Sequence, residues 1–177
     1  MTQAVVADDA SFVTIGIDRE VFAVPVETVL EILAMRPVFR IPDAPAHLKG
    51  LIDVRGRAVA VIDLRTKLGL PPAAADENTR IVVLDVVIEE RRLALGLVAD
   101  RVFEVITLDN RQLEQPPDIG TRWHSDYIRG IGRRLDSFVV VLDLARLFSN
   151  DAAALMAAKP NPLPTDDGDE PSNSKAA

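Results

Sequence analysis

The chain has 177 residues, 48% hydrophobic and 27% charged, with a formal net charge of −7 and no cysteine. That is the composition of one soluble domain or two small ones, and it excludes disulfides, thiolate metal sites and cysteine nucleophiles. The excess of acid argues against nucleic acid as a partner. The apolar run over 81–88 carries Asp85 and falls far short of the roughly twenty residues that cross a bilayer, so no direct membrane insertion is expected.

Residues 1–10 read as a loose leader. They lack the basic region and apolar block of a secretory signal, so the expected location is cytoplasmic. Residues 11–17 are rich in Val, Ile and Phe and predict a strand. Pro25 to Val29 predicts one helical turn before the chain extends again over 30–33. Residues 58–62 predict a further strand. Asp63 then precedes Leu64-Arg-Thr-Lys-Leu, with Gly69 and Pro71 beyond: an N-cap, a cationic helix end, a glycine stop and a proline. Strands follow over 80–88 and 138–142, and Asp143 opens a second capped helix, Leu144-Ala-Arg-Leu-Phe, ending near Asn150. Residues 151–158, Asp-Ala-Ala-Ala-Leu-Met-Ala-Ala, predict one more short helix. The segment 159–177 holds four of the twelve prolines and little to bury. It cannot offset its ordering entropy and reads as a disordered acidic tail. The folded body is then 11–150.

Three blocks recur in the same order. Phe22-Ala-Val-Pro-Val-Glu-Thr-Val-Leu-Glu-Ile aligns with Leu95-Gly-Leu-Val-Ala-Asp-Arg-Val-Phe-Glu-Val, 73 positions on. His47-Leu-Lys-Gly-Leu-Ile aligns with Tyr127-Ile-Arg-Gly-Ile-Gly, and Val59-Ala-Val-Ile-Asp-Leu with Val139-Val-Val-Leu-Asp-Leu, both 80 positions on. The duplication predicts two similar lobes of short strands, each closed at one end by a small capped helix. Short strands with frequent turns favour small barrels, which leave few edges exposed.

Catalytic constellations are scarce. The sequence has no G-x-S-x-G, no phosphate loop and no H-E-x-x-H. His47 takes the place of Tyr127 in the other copy, which points to packing. His124, beside Ser125 and Asp126, is the one candidate for a small enzyme. Asp63 and Asp143 are occupied as caps and fall in different lobes, so no metal site is expected. Eight aromatics are few for stacking on single-stranded nucleic acid. In Arg55-Gly56-Arg57, Gly56 permits a tight turn between two apolar runs, pushing the arginines out from a hairpin tip. An arginine there is available to pair a partner's carboxylate bidentately.

The stretch Lys49-Gly-Leu-Ile-Asp-Val-Arg-Gly-Arg-Ala-Val-Ala-Val-Ile-Asp-Leu-Arg-Thr-Lys-Leu, together with the three repeated blocks and Ile41-Pro-Asp-Ala-Pro-Ala-His, resembles the CheW family of bacterial chemotaxis over about residues 11–150. The resemblance implies a mainly β fold of two five-stranded SH3-like barrels with short capping helices. It implies no enzymatic activity and no cofactor. The implied role is an adaptor linking the cytoplasmic tips of methyl-accepting chemoreceptors to a CheA-like histidine kinase, at membrane receptor arrays. One lobe would pair with the kinase's regulatory domain, and the groove between lobes would receive the receptor tip. Arg55, with Gly56 beside it, falls on the family's signature arginine. Val29, Glu31, Gly50 and Val105 fall on positions tied to receptor coupling, and Thr79 and Arg80 on another receptor-contact segment. The pattern is departed from at two places: Asp53-Val54 replaces the usual Asn-Leu, and Arg80 stands where an apolar residue is usual. Both bear on which receptor and kinase are served. The alternative is an autonomous module of the same fold serving another scaffold without receptor contact.

Overall fold

A computed structural model describes residues 8–116 and 125–157 of the chain; His124 and the tail 159–177 lie outside the described residues. The first copy of the repeat supplies β1 (Asp9–Ile17), β2 (Glu20–Pro25), β3 (Val29–Ala34), β4 (Leu48–Val54), β5 (Arg57–Asp63) and helix α1 (Leu64–Lys67). The second supplies β6 (Arg80–Ile88), β7 (Arg91–Ala99), β8 (Arg101–Asp109), β9 (Ile128–Arg134), β10 (Ser137–Leu142) and α2 (Leu144–Ser149), after which comes α3 (Ala152–Ala157). The first strand starts earlier than the sequence suggests. Asp9 pairs with Asp109 and Ala10 with Leu108, because Ala10 packs on an apolar cluster that the leader reading did not foresee.

One sheet has the order β8-β1-β2-β10-β9 and the other β3-β6-β7-β5-β4. Expressed in repeat units the two orders are identical: third, first, second, fifth, fourth. Yet each sheet draws its first and second strands from one copy and the rest from the other. The lobes are therefore not the repeats. The cause is local. Asp100 alone separates β7 from β8, and an antiparallel hairpin needs about two loop residues to reverse the chain. So β8 runs on into the neighbouring lobe. The three-residue 3-10 turn Val26–Thr28 does the same between β2 and β3. The exchange is completed by parallel pairing of β2 with β10 and of β7 with β5. The second lobe (β3–β7) is continuous in sequence, and the first (β1, β2, β8–β10) surrounds it.

Each sheet closes on itself through an isolated bridge, Phe39 to Leu51 in the second lobe and Glu114 to Ile131 in the first. Phe39 and Leu51 exchange two backbone hydrogen bonds of 2.8 Å. The barrel interiors are small apolar clusters around Ile52, Val61 and Ile81 and around Phe12, Val139 and Val141. The main core lies between the lobes, where Ile15, Phe22 and Val24 meet Ile62, Leu84 and Leu97. Strands β1 and β6 thus bury one face in a barrel and the other in the shared core, which accounts for their apolar residues on both faces. Leu147 and Phe148 of α2 and Ala152 and Leu155 of α3 join that core.

Both predicted caps form. The Asp63 carboxylate accepts from the Arg65 N–H at 3.0 Å, and that of Asp143 accepts from the Arg146 N–H at 3.1 Å. The cations of α1 do not complement its short dipole. The Arg65 guanidinium donates to both Asp100 oxygens at 2.9–3.1 Å, to Asp18 at 3.2 Å and to the Pro71 carbonyl at 2.9 Å. It therefore ties α1 to the β7–β8 crossover and to the β1–β2 turn of the other lobe. Its hydrogen bond to Asp100 holds its pKa above the ordinary arginine value. Lys67 is almost fully buried and donates to Asp151 at 2.6 Å, while its ammonium lies over the Tyr127 ring. The other Asp151 oxygen meets His47 Nε2 at 2.7 Å. The packing role expected for His47 thus includes a hydrogen bond, and that bond fastens α3.

Candidate protein-interaction site

The β4–β5 hairpin turns on two residues. Arg55 and Gly56 have φ of 53° and 77°, the left-handed pair that a type I′ turn requires. The Asp53 carboxylate accepts from the Gly56 N–H at 2.8 Å and braces the turn, and Arg36 donates to the Asp53 carbonyl at 3.0 Å. Asp53, the departure beside Arg55, is thus committed to the turn and makes no ion pair with that arginine. The Arg55 side chain is 83% exposed and reaches Glu31 at 3.4 Å, a long contact worth little in solvent. An arginine on a fixed turn with so weak an internal partner remains available for another carboxylate.

Glu31 and Val29 lie on β3, and Gly50 on β4, which bridges to Phe39 beyond the end of β3; β6 begins at Arg80, opposite Ala34 of β3. Seven of the eight sequence-predicted residues therefore fall in the second lobe or at its border: Val29, Glu31, Gly50, Arg55, Gly56, Thr79 and Arg80. Val105 lies on β8 of the first lobe, 58% exposed.

Their surroundings differ. Val29 is half-buried against the shared core. Gly50 is buried with φ +143°, and a Cβ there would lie 1.9 Å from the Phe39 carbonyl oxygen. Its place in the structure is barrel closure. Thr79 is buried, and its hydroxyl accepts from the Asp76 N–H at 2.8 Å. The Arg80 guanidinium turns back on its own loop, donating to the carbonyls of Glu77 at 2.7 Å and Thr79 at 2.9 Å. Arg80 thus keeps its charge without presenting it over an apolar wall.

Two features escaped the sequence reading. The β3–β6 ladder shifts register between Val29 and Glu31, and the β1–β8 ladder shifts between Val13 and Ile15. Both shifts are bulges, which re-aim side chains. Leu30 and Phe103, equivalent in the repeat, are exposed there, followed by Ile32 and Val105, also exposed and equivalent. Each lobe therefore presents a short apolar stripe on the same strand of its barrel. In the first lobe the turn equivalent to Arg55 carries Leu135, 93% exposed, and Arg133 stacks over Phe138 nearby. The repeated Val-Leu-Glu-Ile and Val-Phe-Glu-Val blocks hold the only sequence signal for the stripes: apolar residues flanking an acid where simple alternation would bury them. The result is a protein-sized set of contacts, apolar strips with charged rims, and among the described residues no group of His, Asp and Glu could hold a metal.

The CheW-like domain family model matches residues 11–152. A chemotaxis protein CheW of Treponema pallidum (strain Nichols) is 28% identical over 147 residues, covering 83% of this chain and 86% of that protein. A probable chemotaxis protein CheW of Rhizobium etli is 30% identical over 141 residues, covering 80% and 88%. The crystal structure of the scaffolding protein TtCheW from Thermoanaerobacter tengcongensis superposes with a TM-score of 0.69 at 27% identity, covering 78% of this chain and 92% of that one. With the two exchanged barrels and the match over nearly the whole described fold, the chain belongs to the CheW-like family of chemotaxis scaffold proteins.

Proposed function

We propose that this chain is the coupling adaptor between the cytoplasmic tips of methyl-accepting chemoreceptors and a CheA-like histidine kinase, acting in the cytoplasm at receptor arrays and catalysing nothing itself. The observation that carries the reading is Arg55, held on a rigid turn with its guanidinium exposed and only a 3.4 Å contact to Glu31. The kinase contact lies at or beside this hairpin tip. The receptor tip lies in the groove between lobes, with Val29, Glu31 and Val105 as contact candidates and Gly50, Thr79 and Arg80 shaping the segments that carry them. A patch of about 800 Å² per partner suffices for such pairing. Signalling requires contacts that differ between the kinase-on and kinase-off states, because equal binding to both shifts nothing.

The test is capture of the host's CheA-like kinase by purified wild type, Arg55→Ala and Arg55→Glu, with circular dichroism to confirm the fold. Binding lost on charge reversal supports the adaptor reading. Capture untouched by either change moves Arg55 to the receptor side. No capture by wild type overturns kinase coupling and favours the autonomous module.

A further inference from the structure

The repeat makes the two crossovers between lobes equivalent, and only one is filled. At the second crossover Asp100 is gripped by Arg65, which also reaches Asp18. The residue equivalent to Asp100 is Glu27, in the turn between β2 and β3. The residue equivalent to Arg65, 80 positions on, is Ala145 of α2. Ile15 lies opposite Phe22, and Leu84 lies opposite Leu95, the repeat equivalent of Phe22. By that register Asp18 corresponds to Val87. The first crossover thus keeps one acid of the clamp, replaces the other acid with valine and lacks the arginine altogether.

Where the arginine is missing there is an open groove of about 620 Å³ between the lobes, lined by Glu27, Thr28, Val87, Arg92, Arg129 and Ala145 among others. Its other charged side chains have partners, although that of Arg129 is a neutral amide. Arg92 pairs with Asp85 at 3.1 Å, Arg129 donates to Asn110 at 3.1 Å, and Asp143 caps α2. Glu27 is exposed and makes no ion pair among the described residues. Val87, 55% exposed, and Ala145 supply apolar wall. An exposed carboxylate in one groove with exposed aliphatic side chains suits a side chain with a cationic head and an aliphatic stem.

We propose that this groove receives one arginine side chain of a protein partner, its guanidinium paired with Glu27 and its stem against Val87 and Ala145. The incoming residue occupies in trans the place that Arg65 occupies in cis. This reading names the chemistry of the groove's partner and rests on the adaptor reading only for which partner presents the arginine.

The test needs no kinase or receptor. N-acetyl-arginine amide is titrated into the full chain while the methyl signals of Val87 and Ala145 and the amide of Thr28 are followed by NMR. Saturable shifts at these positions are expected, weakened about three- to tenfold by Glu27→Gln, with none from the neutral isostere N-acetyl-citrulline amide. In parallel, Ala145→Arg rebuilds the clamp: it should abolish the shifts and raise the melting temperature by about 2–4 °C, and adding Glu27→Gln should remove that gain. No shifts in wild type, equal shifts from citrulline, or indifference to Glu27→Gln overturns the proposal, whether or not Ala145→Arg folds. Failed kinase capture with these shifts intact would instead sink the adaptor reading and leave the groove proposal standing.

Discussion

Arg65 offers the sharpest test of how the lobes hold together. Arg65→Ala removes a bidentate pair with Asp100, a contact to Asp18 and a hydrogen bond to the Pro71 carbonyl, made by a side chain only 14% exposed. The Asp100 pair is partly sheltered and should contribute about 2 kcal/mol. The Asp18 contact is half exposed, so about 0.5 kcal/mol is appropriate, and the neutral carbonyl adds about 1 kcal/mol. The expected loss is about 3.5 kcal/mol, or roughly 7–14 °C in melting temperature for a chain of this size. Urea unfolding should show the midpoint falling while the slope is unchanged, since the surface exposed on unfolding is the same. Arg65→Lys keeps the charge but not the fork and should lose about half as much. The raised Arg65 pKa means that its contribution is complete below the ordinary arginine value and fades only above it, so the loss should be the same at pH 6 and pH 9. A loss under about 1 kcal/mol, within the range of ordinary surface changes, would refute the clamp.

Four further outcomes follow from local geometry. Gly50→Ala should cost more than about 3 kcal/mol or prevent folding, because its Cβ collides with the Phe39 carbonyl and φ is positive. Gly56→Ala, with nothing within 4 Å, should cost only about 1 kcal/mol of left-handed strain, and parallel denaturation curves compare the two. Lys67→Met leaves Asp151 buried beside His47 alone and should destabilise by about 3–5 kcal/mol; Lys67→Met with Asp151→Asn should recover part of it, and additive losses in that double-mutant cycle would refute direct coupling. Hydrogen bonds from the Asn78 N–H, backed by the Thr79 hydroxyl and N–H, hold the Asp76 carboxyl below its ordinary value of 3.8. A depressed carboxylate stabilises above its unfolded pKa and loses that contribution as pH falls through the folded one. Amide signals of Asn78 and Thr79 should therefore keep their protection at pH 5 and lose it only below the ordinary carboxylate range.

The parts of the fold legible in sequence were those fixed by neighbours along the chain. Asp63 and Asp143 announce helices because capping is a two- or three-residue matter, and Arg55-Gly56 announces its turn because φ above zero is a local demand. The Val-, Ile- and Phe-rich segment 11–17 reads as a strand but does not say why both faces are buried. That answer lies with the second lobe, whose Ile62, Leu84 and Leu97 meet Ile15 on one face, while Phe12 on the other packs inside its own barrel. Arg65 and Lys67 look in sequence like cations completing a helix end, but α1 has four residues and too small a dipole to hold them against tertiary carboxylates. Asp151 gave no sign that it would be buried, since its partners come from 84 and 104 positions earlier. Of the candidate site, the hairpin tip was readable. The stripes of Leu30, Ile32, Phe103 and Val105 were not, because a bulge inverts the alternation on which a strand reading depends.

The exchange of strands also dictates a timetable. On a ribosome the second lobe has every strand of its barrel once residue 99 has emerged. The β1–β2 hairpin is made first but waits for β8 and β10 to arrive from the far side of that lobe. The 90 residues between Thr14 and its partner Glu104 take roughly 5–20 s at ordinary elongation rates of about 5–20 residues per second. During that interval the hairpin's two apolar faces have only the nascent second lobe to cover them, so the lobe whose translation begins first is the last to be completed.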